Sequence, residues 1–147
     1  MPDKIMIMGD RKAFISHAAQ DGVIAARLAE VFRQHGIRTF VAPEDITPGE
    51  DWSRRLRKEI AEAGTFVMVR SDAGVQSNNV QMELGAAWAA DKPIVFVIPP
   101  GQDSPSAVPM PLDGVAMGVL RMDGLSVESI GDTVRRAVEV VYPRQSA

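Results

Sequence analysis

Glu83 is the residue best placed to do chemistry. It sits near the start of a predicted helix, in Ser77-Asn78-Asn79-Val80-Gln81-Met82-Glu83-Leu84-Gly85. Ser71 lies just upstream, after the apolar run Thr65–Val69. A carboxylate there stands at the C-terminal edge of a parallel sheet, where open α/β folds bind ligands. It can stabilise positive charge that develops on a bound substrate. The plain alternative is a solvated helix glutamate that compensates the helix N-terminus. Ser16-His17 after the first predicted strand, and Asp45-Ile46-Thr47-Pro48-Gly49 after the second, outline the rest of a pocket. No second carboxylate is placed to act as a separate acid. Gly-x-Ser-x-Gly is missing, so there is no serine nucleophile elbow. Gly-x-Gly-x-x-Gly and the P-loop pattern are missing too, so a Rossmann-type dinucleotide site is not expected.

These side chains need a frame, and hydrophobic periodicity supplies one. Lys12–Ile15 reads as a strand, and Ala19–His35 as a helix with Ile24, Leu28, Val31 and Phe32 on one face. Asp21 is expected to cap or electrostatically support that helix, and Gly36 to end it. Ile37–Val41 is a strand and 42–49 a loop shaped by Pro48 and Gly49. Glu50–Ala63 is a helix with Trp52, Leu56 and Ile60 inward and Arg54, Arg55, Arg57 and Lys58 on its wet side. Thr65–Val69 is a strand. A helix over Asn79–Ala90 buries Val80, Leu84 and Ala87.

Ile94–Ile98, apolar throughout, reads as a central strand. Pro99–Leu112 holds five prolines and reads as a surface loop. Val115–Leu120 is a short strand whose Gly118 suggests an edge or a close backbone approach. Val127–Val141 is a last helix with Ile130, Val134, Val138 and Val141 inward. The order predicts an α/β fold: an open, parallel, five-stranded sheet flanked by helices on both faces. Residues 1–11 form an N-terminal arm or an extra strand, 12–143 the domain, and 144–147 a C-terminal tail, the possible start of a linker.

Composition narrows the function classes. The chain has 147 residues, 46% of them hydrophobic, enough for one domain with a core. A net charge of −3 gives no electrostatic case for nucleic-acid binding. With no cysteine, disulfides and thiolate chemistry are excluded. The two histidines are far apart and no metal-ligand spacing appears. There is no apolar run of about 18 residues and no signal peptide. A cytoplasmic protein that binds neither nucleic acid nor membrane is the expectation.

Three segments in order resemble a TIR (Toll/interleukin-1 receptor) domain of bacterial type. They are Ala13-Phe14-Ile15-Ser16-His17 followed by Asp21, the stretch Phe40–Trp52 with its long loop, and Ser71 with Ser77 and Glu83. The likeness spans Lys12 to Val141. It departs from the family at Asn79, where many members carry tryptophan, and at Val80, where cysteine is common.

The resemblance implies a flavodoxin-like TIR fold and an NAD+ glycohydrolase or cyclase. Such an enzyme cleaves the nicotinamide–ribose bond and releases nicotinamide with ADP-ribose or a cyclic ADP-ribose. NAD+ is then a substrate, and no cofactor is expected. Glu83 becomes the catalytic residue. Ser16, His17, Phe40, Asp45, Trp52 and Ser71 are expected around the substrate, with core packing the alternative for Phe40 and Trp52. Ser71 and Ser77 could bond ligand or loop backbone, and backbone is favoured for Ser77. The resemblance also implies homotypic TIR–TIR assembly, other domains of a longer parent protein, and a role in antiphage defence or host-signalling interference. Two alternatives stand beside it: a non-catalytic TIR adaptor acting through homotypic contacts, and a nucleoside deoxyribosyltransferase-like enzyme. A response-regulator receiver would want acidic residues where Ser16-His17 stand.

Overall fold

The computed structural model describes residues 12–42, 51–101 and 129, and the backbone of 116–121. Strands β1 (Lys12–Ser16), β2 (Arg38–Ala42), β3 (Thr65–Val69), β4 (Ile94–Ile98) and β5 (Ala116–Arg121) form one sheet in the order β2-β1-β3-β4-β5. Every pairing is parallel. This is the doubly wound order in which ligands bind beyond the strands' C-terminal ends. Ser16, the last residue of β1, lies in register with Ala42 on one side and Met68 on the other. β5 is at the edge, and its ladder to β4 is irregular between Ile94 and Val95, beside Gly118.

Alternation along the strands builds a core on each face. Ala13, Ile15, Val41, Val67, Val69, Val95 and Val97 pack with Leu28, Val31 and Phe32 of α1 (Gly22–Gln34). Phe14, Phe40, Phe66, Met68 and Phe96 face the other way. They meet Leu56 and Ile60 of α2 (Trp52–Glu62) and Val80, Leu84 and Ala87 of α4 (Asn78–Ala89). Phe14 anchors this second core, stacked on Phe66 at 5.4 Å and tilted against Phe40 at 5.3 Å. The expected arrangement, helices on both faces of a five-stranded parallel sheet, is the one found.

Local differences have local causes. A 3₁₀ turn over Ala19–Asp21 precedes α1. Gly36 ends it at φ 78°, where Ile37 N–H returns to Phe32 O at 2.9 Å, the hydrogen-bond pattern of a glycine helix end. Asp51 caps α2, accepting from Arg54 N at 3.2 Å. A five-residue helix, α3 (Asp72–Gln76), is too short to show a period in sequence. Arg55 does not lie on a wet face as expected: it bonds Glu59 at 2.9 Å and its guanidinium sits 5.1 Å from the Phe40 ring centroid.

Glu59 also pairs with Lys12 at the start of β1. Burial works to raise the Glu59 carboxyl's pKa, but Lys12 and Arg55 outweigh it and hold it below the usual carboxylate value. The arm 1–11, the loop residues Asp45, Pro48 and Gly49, the tail 144–147 and, Ser129 apart, the helix over Val127–Val141 lie outside the described residues.

Candidate active site

Glu83 is not solvated. It sits on the inward face of α4 with Val80, Leu84 and Ala87, at spacings that share one side of a helix, and is 4% exposed. Across the sheet edge, Ser16 is fully buried, and its hydroxyl donates to Glu83 Oε1 at 2.6 Å. Burial pushes the Glu83 carboxyl above its usual pKa. The Ser16 hydrogen bond and the charge of His17 pull the other way without overcoming it. The carboxylate is thus costly to ionise, yet provided with one fixed donor.

His17 is buried with Nδ1 2.6 Å from the Ala18 carbonyl oxygen. A carbonyl only accepts, so Nδ1 carries the proton. The side chain is oriented by its own loop.

Ser71 donates to Asp21 Oδ2 inside the protein and accepts from Gly74 N at 2.9 Å. It therefore caps α3 and ties it to the turn before α1. Asp21, expected to cap or electrostatically support the first helix, stands at its start, makes no capping bond with its side chain and accepts from the Ser71 hydroxyl. Gly74 is required here, because a Cβ would sit 2.5 Å from the Val69 carbonyl oxygen. Ser77 caps α4 by accepting from Val80 N at 3.3 Å, a backbone role as expected.

A cavity of about 460 Å³ opens between α2 and α4. Trp52, Leu56, Ile60, Met82 and Ala86 give it apolar walls, and Ser53, Arg57, Asn79 and Glu83 its polar groups. Of the residues singled out in sequence, Glu83 and Trp52 line it. Ser16 acts on it through Glu83. Phe40 lies in the core against Phe14, and Ser71 is engaged with Asp21. Arg57, expected on the wet side of its helix, and Asn79, noted only as a departure from the family pattern, also line the cavity. The available signal was helical spacing: Ser53 and Arg57 are one turn apart, as are Asn79 and Glu83.

Such a cavity can hold a small ligand with one end at a buried carboxylate. Among the described residues, no group of three His, Cys, Asp or Glu is arranged to hold a metal, and no helix is long and apolar enough to cross a membrane.

A family model described as the TIR domain matches residues 13–124. Among solved structures, the chain is similar to the TIR domain of the Toll-related receptor TRR-2 from Hydra magnipapillata. The TM-score is 0.61 at 20% identity, covering 88% of this chain and 93% of that one. It is similar to the CMP N-glycosidase BcmB of Clostridium botulinum, with a TM-score of 0.55 at 16% identity, covering 85% and 99%. It also resembles the TIR domains of the activated Roq1 resistosome, which recognises the pathogen effector XopQ, with a TM-score of 0.54 at 19% identity, covering 90% and 75%. No curated protein sequence matches the chain.

Proposed function

The chain belongs to the TIR-domain family, and on that premise we propose that it is an NAD+ glycohydrolase whose reaction centres on Glu83. The observation that carries this reading is a buried carboxylate, held by Ser16, on the wall of a ligand-sized cavity. A structural neighbour, BcmB, is a CMP N-glycosidase, so the fold accommodates cleavage of a bond between a base and a ribose.

In NAD+ the nicotinamide nitrogen is cationic. When the C1′–N bond breaks, its electron pair goes to that nitrogen, and nicotinamide leaves neutral. No acid has to protonate it. The ribose keeps positive charge shared between C1′ and the ring oxygen. Glu83 stabilises that charge, and its environment makes the effect large, because few water dipoles screen a buried carboxylate. Ser16 occupies Oε1, which leaves Oε2 for the ribose hydroxyls or the cation. Attack by water at C1′ forms the new C–O bond, with its proton lost to Glu83 or solvent, and gives ADP-ribose. Attack by a group of the same molecule gives a cyclic product.

Under this reading the protein acts through homotypic association, which a neighbour drawn from the TIR domains of a resistosome supports, and its place of action is the cytoplasm. The test is nicotinamide release from NAD+ at high protein concentration by wild type and Glu83→Gln, with products resolved by chromatography. Release by wild type alone is expected. Equal release by both would remove Glu83 from the mechanism. CMP belongs in the same assay: release of cytosine in place of nicotinamide would move the substrate to a mononucleotide and keep Glu83 at the anomeric carbon, with the departing base taking its proton from the attacking water or from solvent.

A further inference from the structure

Among the described residues that line the Glu83 cavity, Arg57 is the one cation. It is also the arginine of α2 without an ionic partner among the described residues. Arg54 lies 3.8 Å from Asp51. Arg55 bonds Glu59 at 2.9 Å and covers Phe40. Arg57 makes no ion pair with a described residue. Glu83 does not satisfy it either, since that carboxylate is buried and bonded to Ser16.

Other features around Arg57 favour an anion. Ser53 stands one turn before it and lines the same cavity, which places a hydroxyl beside the guanidinium. Asn79, in the first turn of α4, brings an amide and the positive end of that helix to the opposite wall. The remaining walls are apolar, so a charge pair formed between them is less screened than one in open water. A guanidinium in such a place matches the oxygens of a phosphate in two-pronged geometry.

We propose that Arg57 binds the 5′-phosphate of the substrate, so that the site takes phosphorylated N-ribosides, mono- or dinucleotides, in preference to free nucleosides. The proposal rests on the reading that Glu83 acts at the anomeric carbon. The two ends of one ribose then correspond to the two charged groups of the cavity: C1′ to Glu83, and the 5′-phosphate to Arg57. A free nucleoside would leave the guanidinium unused. Arg57 touches a group that does not change in the reaction, so it contributes equally to ground and transition states and acts on KM rather than kcat.

The test compares two ligands that differ by one phosphate, nicotinamide mononucleotide and nicotinamide riboside. Each is titrated by calorimetry into Glu83→Gln protein and into Glu83→Gln/Arg57→Gln protein. In the single variant the mononucleotide should bind about tenfold tighter than the riboside, or more. In the double variant that gain should vanish while riboside affinity stays the same. Arg57→Lys should keep part of it, because the charge remains and the fork is lost. CMP and cytidine form a second pair that separates preference for the base from preference for the phosphate.

A phosphate gain that survives Arg57→Gln would overturn the proposal, as would no gain in the single variant, or no binding of any of these ligands. Arg57 is exposed, so a melting temperature equal to that of the parent checks that its loss is not a folding defect. Turnover separates the two readings. NAD+ cleavage with an unchanged KM in Arg57→Gln would sink the phosphate site and leave Glu83 in place. Arg57-dependent phosphate binding without turnover by wild type would sink the NAD+ reaction and leave the phosphate site in place.

Discussion

The Ser16 hydroxyl and the Glu83 carboxylate meet at 2.6 Å, 67 residues apart in the chain and both shielded from water. The bond joins the end of β1 to the second turn of α4 and fixes one oxygen of the carboxylate. Ser16→Ala would leave that oxygen without its donor, at a stability cost of about 1–3 kcal/mol. It would also raise the Glu83 pKa further, since the bond acts to lower it. The acid limb of the pH–rate profile should therefore move to higher pH, with kcat reduced roughly tenfold. Among the described residues, His17 acts on Glu83 from the end of β1 and Arg57 of α2 lines the same cavity, so the same limb should be checked in Arg57→Gln. An unmoved limb in Ser16→Ala would limit Ser16 to packing.

Glu83 carries a stability cost that its removal should reveal. Its folded pKa is raised by burial. The stability linked to its protonated form is complete below the unfolded value of about 4.3 and is lost as pH rises through the folded pKa. At pH 7.5, Glu83→Gln should be as stable as wild type or more so, by about 1 kcal/mol, while turnover disappears. Thermal melts between pH 5 and 8 test this, and the advantage should grow with pH. A variant that is less stable at every pH would mean that the amide cannot replace the carboxylate in its bond to Ser16.

Glu59 has the opposite sign. Lys12 and Arg55 hold its folded pKa below the unfolded value despite burial. Its contribution is present above about pH 4.3 and is lost as pH falls through the lowered pKa. Glu59→Gln should cost roughly 2–3 kcal/mol at pH 7, toward the low end for a broken buried pair because Arg55 keeps some solvent. Urea titrations at pH 7 and pH 3 should show the gap narrowing in acid. A constant gap would assign the loss to packing.

Ser71→Ala separates a structural role from a ligand role. It removes the cap of α3 and the hydrogen bond donated to Asp21. Stability should fall by about 1–3 kcal/mol, with KM for NAD+ within about twofold of wild type. A large rise in KM at unchanged stability would put Ser71 in the substrate pocket instead.

Much of the frame was readable in advance because it rests on local periods. Val67 and Phe66 point to opposite faces as any strand neighbours do, and Val80, Leu84 and Ala87 mark the inward side of α4. Glu83 falls on that same side, so its burial was implied by its spacing, although a solvated glutamate was the plain alternative. The five-residue α3 is not legible in the sequence because one turn and a half carries no period. Helical spacing puts Arg55 on a solvated face, but its contacts include Phe40, on another element, and Glu59, one turn further on.

Sequence by itself determined the alternation of strands and helices, the inward stripe of each, and a carboxylate and a serine near strand ends, since each depends on neighbours within one or two turns. Only the tertiary structure decided which of them meet. Ser16 ends β1 and Ser71 follows β3 by two residues, yet one orients Glu83 while the other is held by Asp21 and caps α3. Arg57 became a cavity residue, and Arg54 did not, when α2 and α4 were laid side by side on one face of the sheet. Periodicity states which way a side chain points; what stands opposite is set by the order in which distant strands pair.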